Sequence, residues 1–223
     1  MIVLWAALPI LLQSPPGADS VRALALTGPD SSLSERVRRH PDDARDALRQ
    51  LFIAGSDSAN LLLAERLAEA YAVAWRDSFF VRQVARFRDL SVDGRRSKVR
   101  VDSLRRAGND VLGSGGLDPA MRLWRESLRE AELTADSAGV AAALGNIGAG
   151  FYRAEQHDSA QIYLRHSRHL AEAIGDHRTA GNAVGTLAGI SKDLGDLREA
   201  MALYTRAAEI RELSGDTRGL AAD

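Results

Sequence analysis

The feature that most constrains this chain is a turn that returns at a fixed interval. AIGDHRT at 173–179 and LSGDTRG at 213–219 share a Gly-Asp pair, and LTADSAG at 133–139 has the same shape with Ala135 in place of the glycine. Asp136, Asp176 and Asp216 are therefore forty residues apart each time. A fixed period of that length marks a solenoid, in which every unit buries its apolar face against its neighbours.

Each turn reads as a corner between helices. Gly175 and Gly215 stand where an apolar-periodic helix stops, and glycine takes the left-handed C′ conformation there without steric cost. Asp136, Asp176 and Asp216 are then expected to cap the following helix, accepting hydrogen bonds from its orphan N–H groups. A second corner falls halfway through each unit, at Asp118-Pro119 (N-cap, then proline at N1), His157-Asp158 and Gly195-Asp196. Between corners the apolar residues recur at helical spacing, as in Ala120, Leu123, Trp124, Ser127, Leu128 and Ala131, and one unit on in Ala160, Tyr163, Leu164, Ser167 and Ala171. No stretch alternates with period two, so the expected fold class is all-α, with two helices per unit. Upstream the same signals predict helices near 58–75 and 78–91, and a less regular pair near 33–40 and 41–54. Ser32 and Glu35 read as a capping box for the first of that pair, and Pro41 suits the first turn of the second.

A formal charge of −1 over 223 residues offers no net attraction to nucleic acid or to an anionic membrane. Basic residues are concentrated in one place. Between Arg82 and Arg106 there are nine of them (Arg82, Arg86, Arg88, Arg95, Arg96, Lys98, Arg100, Arg105, Arg106) against Asp89, Asp93 and Asp102. Phe87 is the one aromatic residue in that segment, and the units carry no base-reading pattern, which disfavours a nucleic-acid partner. The first twelve residues, MIVLWAALPILL, are uncharged and apolar and are followed by QSPPGADS. That stretch is too short to span a membrane but fits the core of a secretory signal, with a cut after Ala18 or Ser20. The expected location is exported, periplasmic or extracellular, with an N-terminal membrane anchor as a variant. Because a basic n-region is missing, a start upstream of Met1 or a buried N-terminal element in a cytoplasmic protein stays open. The absence of cysteine rules out a disulfide framework and lipoprotein acylation.

The spacing W-x2-L-G-x2-Y followed by A-x3-F can be laid on the units three times. The unit from Val101 carries Leu104, Ala107, Gly108 and Val111, then Ala120 and Trp124. The unit from Ala141 carries Leu144, Ile147, Gly148 and Phe151, then Ala160 and Leu164. The unit from Gly181 carries Val184, Leu187, Ala188 and Ser191, then Ala200 and Tyr204. Leu67, Ala68 and Tyr71 give half of one more, with Phe80 in place of the second-helix alanine. On these residues the chain resembles tetratricopeptide repeat proteins, in the forty-residue form of Leu-Gly-Asn and kinesin-light-chain repeats, and Leu144-Gly145-Asn146 matches that local signature. Ser191 departs from it, standing where a large aromatic is usual. The resemblance implies a right-handed superhelical array of antiparallel helix pairs. It divides the chain into a candidate signal peptide (1–20), an irregular helical segment (21–60), a degenerate repeat (61–100), repeats at 101–140, 141–180 and 181–216, and the start of a further repeat (217–223).

Several look-alike motifs carry less. GNIGAG reverses the dinucleotide-binding spacing and follows no strand, and GSGG at 113–116 has no Gly-Lys-Ser/Thr after it. His166 and His169 share a helix face, but no cysteine or acid joins them at a metal-binding spacing. With no catalytic motif present, the chain is expected to be non-enzymatic, with no cofactor, metal or small-molecule substrate. The resemblance implies instead that the first helix of each pair lines a concave face and turns certain residues toward a bound peptide. Carried over, these are Arg105, Arg106 and Asn109, then Asn146, Tyr152 and Arg153, then Asn182, Thr186 and Lys192. An asparagine amide at 146 can both donate to and accept from one peptide unit, and the arginines favour acidic side chains or a terminal carboxylate.

The expected function is a scaffold that binds a peptide or partner segment on its concave face. The alternative is a regulatory or sensor region preceding a peptidase or kinase effector domain beyond residue 223. Leu203, Tyr204, Ala207 and Ile210 are further expected to face partly outward from the last repeat and to support self-association there.

Overall fold

The computed structural model describes residues 16–54 and 58–216. Those residues form eleven α-helices: α1 Pro16–Thr27, α2 Asp30–Arg39, α3 Pro41–Ala54, α4 Ser58–Trp75, α5 Phe79–Asp89, α6 Val92–Gly113, α7 Leu117–Leu133, α8 Ser137–Arg153, α9 His157–Ile174, α10 His177–Asp193 and α11 Leu197–Leu213. No strand occurs among the described residues. The most extensive packing is within the pairs α6/α7, α8/α9 and α10/α11. Next come α9 with α10 and α7 with α8, and the first helices of successive pairs also touch, α6 with α8 and α8 with α10. The chain is thus an all-α array of helix pairs from 92 to 216.

The small positions explain how closely the pairs approach. Gly108 and Gly148 are buried. A methyl on Gly108 would overlap the Trp124 indole, and one on Gly148 would come within 2.7 Å of Leu164 Cγ. Ala188 is the equivalent small residue of α10, and Ala120, Ala160 and Ala200 are buried on the opposing surfaces of α7, α9 and α11. A polar device repeats with them. The fully buried Ser127 and Ser167 donate to the carbonyls of Val101 and Ala141, at 2.9 and 2.8 Å, tying each second helix to its partner.

The corners follow the sequence at several points and depart from it at others. Gly175, Gly195 and Gly215 have φ of 71°, 84° and 60°, and Ala135 takes the same left-handed region at 52°. Asp176 and Asp196 cap their helices by accepting from Thr179 N and Glu199 N, at 3.1 and 3.0 Å. Asp136 does not cap through its side chain, because its carboxylate is taken by the Lys98 ammonium at 2.8 Å. Asp118 is not an N-cap either. α7 starts at Leu117 behind Gly116, so Asp118 and Pro119 lie inside its first turn, where proline lacks only an orphan N–H. The capping box at Ser32 and Glu35 is likewise absent. α2 begins at Asp30 behind Pro29, and Glu35 pairs with Arg39 instead.

The segment 21–60, expected to be irregular, contains regular helices with one core. Val21 and Ala25 of α1, Leu33 and Val37 of α2, Leu48 and Leu51 of α3, and Leu67 and Tyr71 of α4 are all buried in a single cluster that extends to Val84 of α5. The two candidate cut sites fall in the first turns of α1, and the buried Val21 and Ala25 follow both. Residues 1–15 and 217–223, on which the rest of the signal-peptide and last-repeat expectations fall, lie outside the described residues.

The last pair also departs from expectation. Ala207 and Ile210 do not face outward. They are buried with Ala180 and Val184 of α10, since α11 turns that stripe toward its own partner. The exposed apolar residues at this end are Leu194, Leu197, Met201 and Leu213.

Candidate functional site

The N-terminal helices reach across to the repeat corners, and arginines make the contacts. Arg86 donates to Ala135 O, Arg82 to Ile174 O at 3.0 Å, and Arg45 to Ser214 O at 3.0 Å, so the corners after α7, α9 and α11 each receive a guanidinium. Carbonyls at a helix C-terminus are unsatisfied and carry the negative end of the dipole, which makes a cation a fitting partner. Arg45 is buried on α3, where it also bonds Tyr71 OH at 2.7 Å and pairs with Asp42 and Asp216. The Tyr71 hydroxyl donates to Ser214 O. Burial pushes the Tyr71 phenol up to about 12, with Arg45 acting in the opposite direction. Lys98 loses hydration on burial, but Asp102 and Asp136 outweigh that loss and hold its ammonium above the usual value.

Most of the basic segment is consumed in this way. Arg88 pairs with Glu65, Arg95 donates to Leu90 O, Arg96 pairs with Asp93, Arg100 pairs with Glu126, and Arg105 lies 3.9 Å from Asp102. Arg106 alone of the nine has no hydrogen bond or ion pair among the described residues. Charge that the sequence displays as one run is dispersed over helix ends and carboxylates.

The nine residues selected from the sequence fall along α6, α8 and α10, the first helices of the three pairs. Asn146 donates to Asn109 Oδ1 at 2.9 Å, and the same oxygen accepts from Trp124 Nε1 at 3.1 Å. Adjacent helices therefore bring these two asparagines together, and one Asn146 N–H is already occupied within the chain. Tyr152 donates to Asp193 at 2.8 Å, joining α8 to α10, and its phenol is pushed up to about 12 by burial and by that carboxylate. Thr186 donates to Asn182 O at 3.0 Å, a bond within its own helix. Arg153, Asn182 and Lys192 are exposed, and Arg105 and Arg106 are half-buried beside α3.

The middle of α6 and the first turns of α8 and α10 are covered by the N-terminal helices. There Arg49 on α3 and Arg178 on α10 join Arg105 and Arg106 around a cleft, which sequence reasoning did not find. One signal for it was present: Asp176-His177-Arg178 and Asp216-Thr217-Arg218 repeat an arginine two residues after the corner aspartate. Among the described residues no group of three His, Cys, Asp or Glu side chains is arranged to hold a metal ion, and no helix is long and apolar enough to cross a membrane. No family model matches the chain, and no curated protein is found to match it.

Proposed function

We propose that the chain is a non-enzymatic interaction scaffold, a tetratricopeptide-like array with a right-handed superhelical turn, whose α6, α8 and α10 face takes an extended acidic peptide or a peptide carboxyl terminus. The observation that supports this reading best is the division of that face. The middle of α6 and the first turns of α8 and α10 are covered by α3–α5, while Asn109, Arg153, Asn182 and Lys192 stand exposed on the remainder. An exposed row of amides and cations on rigid, mutually bonded helices can meet backbone groups and carboxylates with little reorganisation.

Selection from a displayed peptide library against the whole protein tests it. The expected outcome is enrichment of acidic sequences or free carboxyl termini whose binding weakens in an Asn182→Ala, Lys192→Glu protein that melts like the parent. Enriched peptides that bind parent and variant equally, or no enrichment, would remove the reading.

A further inference from the structure

A surplus of positive charge is held in the cleft between α3, the second half of α6 and the start of α10. Its outer part, with a volume of about 300 Å³, is lined by Arg49, Arg105, Arg106 and Arg178. The carboxylates beside them are already engaged. Asp42 pairs with Arg45, Asp46 with Arg49 at 2.9 Å, and Asp102 with Lys98 at 3.5 Å and Arg105 at 3.9 Å. Arg178 reaches Asp216 only at 3.8 Å through Nε, and the other oxygen of that carboxylate faces Arg45 at 3.5 Å. Arg106 has no ion pair among the described residues, and Asp110, one turn beyond it, is an exposed carboxylate at the rim of the same space, which leaves five arginines against three aspartates in its lining. Burial holds the Arg49 and Arg178 guanidinium groups below their ordinary value. Arg106, Arg105 and Arg178 add to this at Arg49, as Arg45 and Arg105 do at Arg178, against the nearby aspartates. Cations crowded away from bulk water are relieved by an anion.

The inner part of the cleft has a different character. It measures about 160 Å³, and Leu48, Phe52, Phe79 and Phe80 face Ala138 and Ala142 of α8 across it. Arg45, Arg49, Arg105 and Arg178 line both parts, so the two spaces adjoin. The polar groups deeper in are satisfied internally: Lys98 by its two aspartates, and Asp77 by accepting from Phe79 N at 2.8 Å. The space is mixed, with this apolar wall beside a charged one, and its volume is roughly that of a cavity that accommodates one benzene ring.

We infer that the cleft binds a small amphipathic organic anion, with its acid group on Arg49, Arg106 and Arg178 and a single aromatic or branched aliphatic group among Phe52, Phe79 and Phe80. This departs from the expectation that the chain takes no small molecule, and it does not depend on the peptide reading of the exposed half of the face. Because α3 and α5 form one wall and α6, α8 and α10 the other, the bound anion would brace the N-terminal helices against the repeats. The same chemistry is offered by a free organic acid and by the last residue of a peptide.

Calorimetric titration of the full chain distinguishes these. The probes are 3-phenylpropionate, isovalerate, phenyl phosphate and N-acetyl-phenylalanine, with the amide of the last, inorganic phosphate, and a tetrapeptide ending in phenylalanine with a free carboxyl. At least one amphipathic acid is expected to bind, with its neutral amide and inorganic phosphate each weaker by about tenfold or more, the loss of one charged hydrogen-bonding partner or of the apolar contact. Arg106→Gln should weaken the acid by about tenfold while leaving the melting temperature unchanged, since Arg106 has no internal partner to lose. Binding of the acid without the tetrapeptide identifies a free small molecule as the source, and binding of both identifies a chain terminus. Equal affinity for acid and amide, inorganic phosphate as tight as any amphipathic acid, unchanged affinity in Arg106→Gln, or no heat from any acid at millimolar concentration would each overturn the inference.

Discussion

The helix pairs of 92–216 and the helices that precede them distribute their buried side chains differently. In the pairs, Gly108, Gly148 and Ala188 admit the opposing helix, and the buried groups fall into separate small clusters along the array, around Trp124 and Ile147 in one and Leu164 and Ile190 in another. In α1–α5 a single cluster takes in Leu33, Leu48, Leu51, Leu67 and Tyr71, all fully buried, with alanines such as Ala44, Ala47, Ala64 and Ala68 between them. Where the two regions meet, the contacts are largely ionic and from arginine to carbonyl, through Arg45, Arg82 and Arg86. Apolar packing thus builds each region, and charge sets one region on the other. Directional bonds to helix ends have one correct register, whereas an apolar face would slide more readily.

The largest effect is expected at the joint. Arg45→Met removes the guanidinium that is shared by Asp42, Asp216, Tyr71 and Ser214, and so takes one partner from each of two carboxylates, of which Asp216 is buried. The expected loss is about 3 to 5 kcal/mol in chemical denaturation. A loss near zero would show that the two regions do not depend on this contact. Next in size is Gly108→Val, which drives a branched side chain into the Trp124 indole within the first pair. It is expected to cost about 1 to 3 kcal/mol. Hydrogen exchange should place that loss in α6 and α7 before α1–α3, and a loss spread evenly over the chain would blur the distinction drawn between the regions.

The smallest effect depends on pH. Burial raises the Asp77 carboxyl above its ordinary value, more than the Phe79 N–H, His177 and Arg82 lower it. A raised carboxyl binds its proton more tightly in the folded state, so its contribution is fully present below the unfolded-state value and is lost as pH rises through the folded one. Asp77→Asn keeps an oxygen for the Phe79 N–H and removes that titration. Its stability relative to the parent should therefore rise across the weakly acidic range and level off above it. A flat difference in melting temperature between mildly acidic and neutral buffer would show that Asp77 does not titrate as described.

The legibility of the two regions in the sequence differs for the same physical reason. A period reports contacts that recur, so Gly175, Gly195, Gly215 and the alanines at 120, 160 and 200 were readable from spacing alone. Ser127 and Ser167 were visible as members of an apolar stripe, but their bonds to Val101 and Ala141 were not, because a hydroxyl inside a stripe does not name its acceptor. Asp136 and Asp118 misled because capping propensity is local, and in each case something else prevailed: a lysine thirty-eight residues upstream in one, a helix that starts at Leu117 behind Gly116 in the other. The row of Asn109, Asn146, Asn182 and Lys192 was carried over from the family resemblance. The arginine cleft had no such guide, since Arg49 and Arg178 are far apart in sequence and meet only because α3 folds back over the second half of α6 and the start of α10.

The central claim is that the N-terminal helices are fastened to the repeat corners and that the two regions open together. Native-state hydrogen exchange over the whole chain, in the parent and in an Arg82→Gln, Arg86→Gln protein, tests this most directly. In the parent, the most protected amides of α4 and of α8–α9 should share one opening free energy. In the variant, α4 and α5 should exchange faster, by about tenfold or more for two lost charged bonds to carbonyls, while α8 and α9 keep most of their protection. If α1–α5 already opens independently in the parent, and the double substitution leaves its exchange unchanged, the corners do not hold the two regions together.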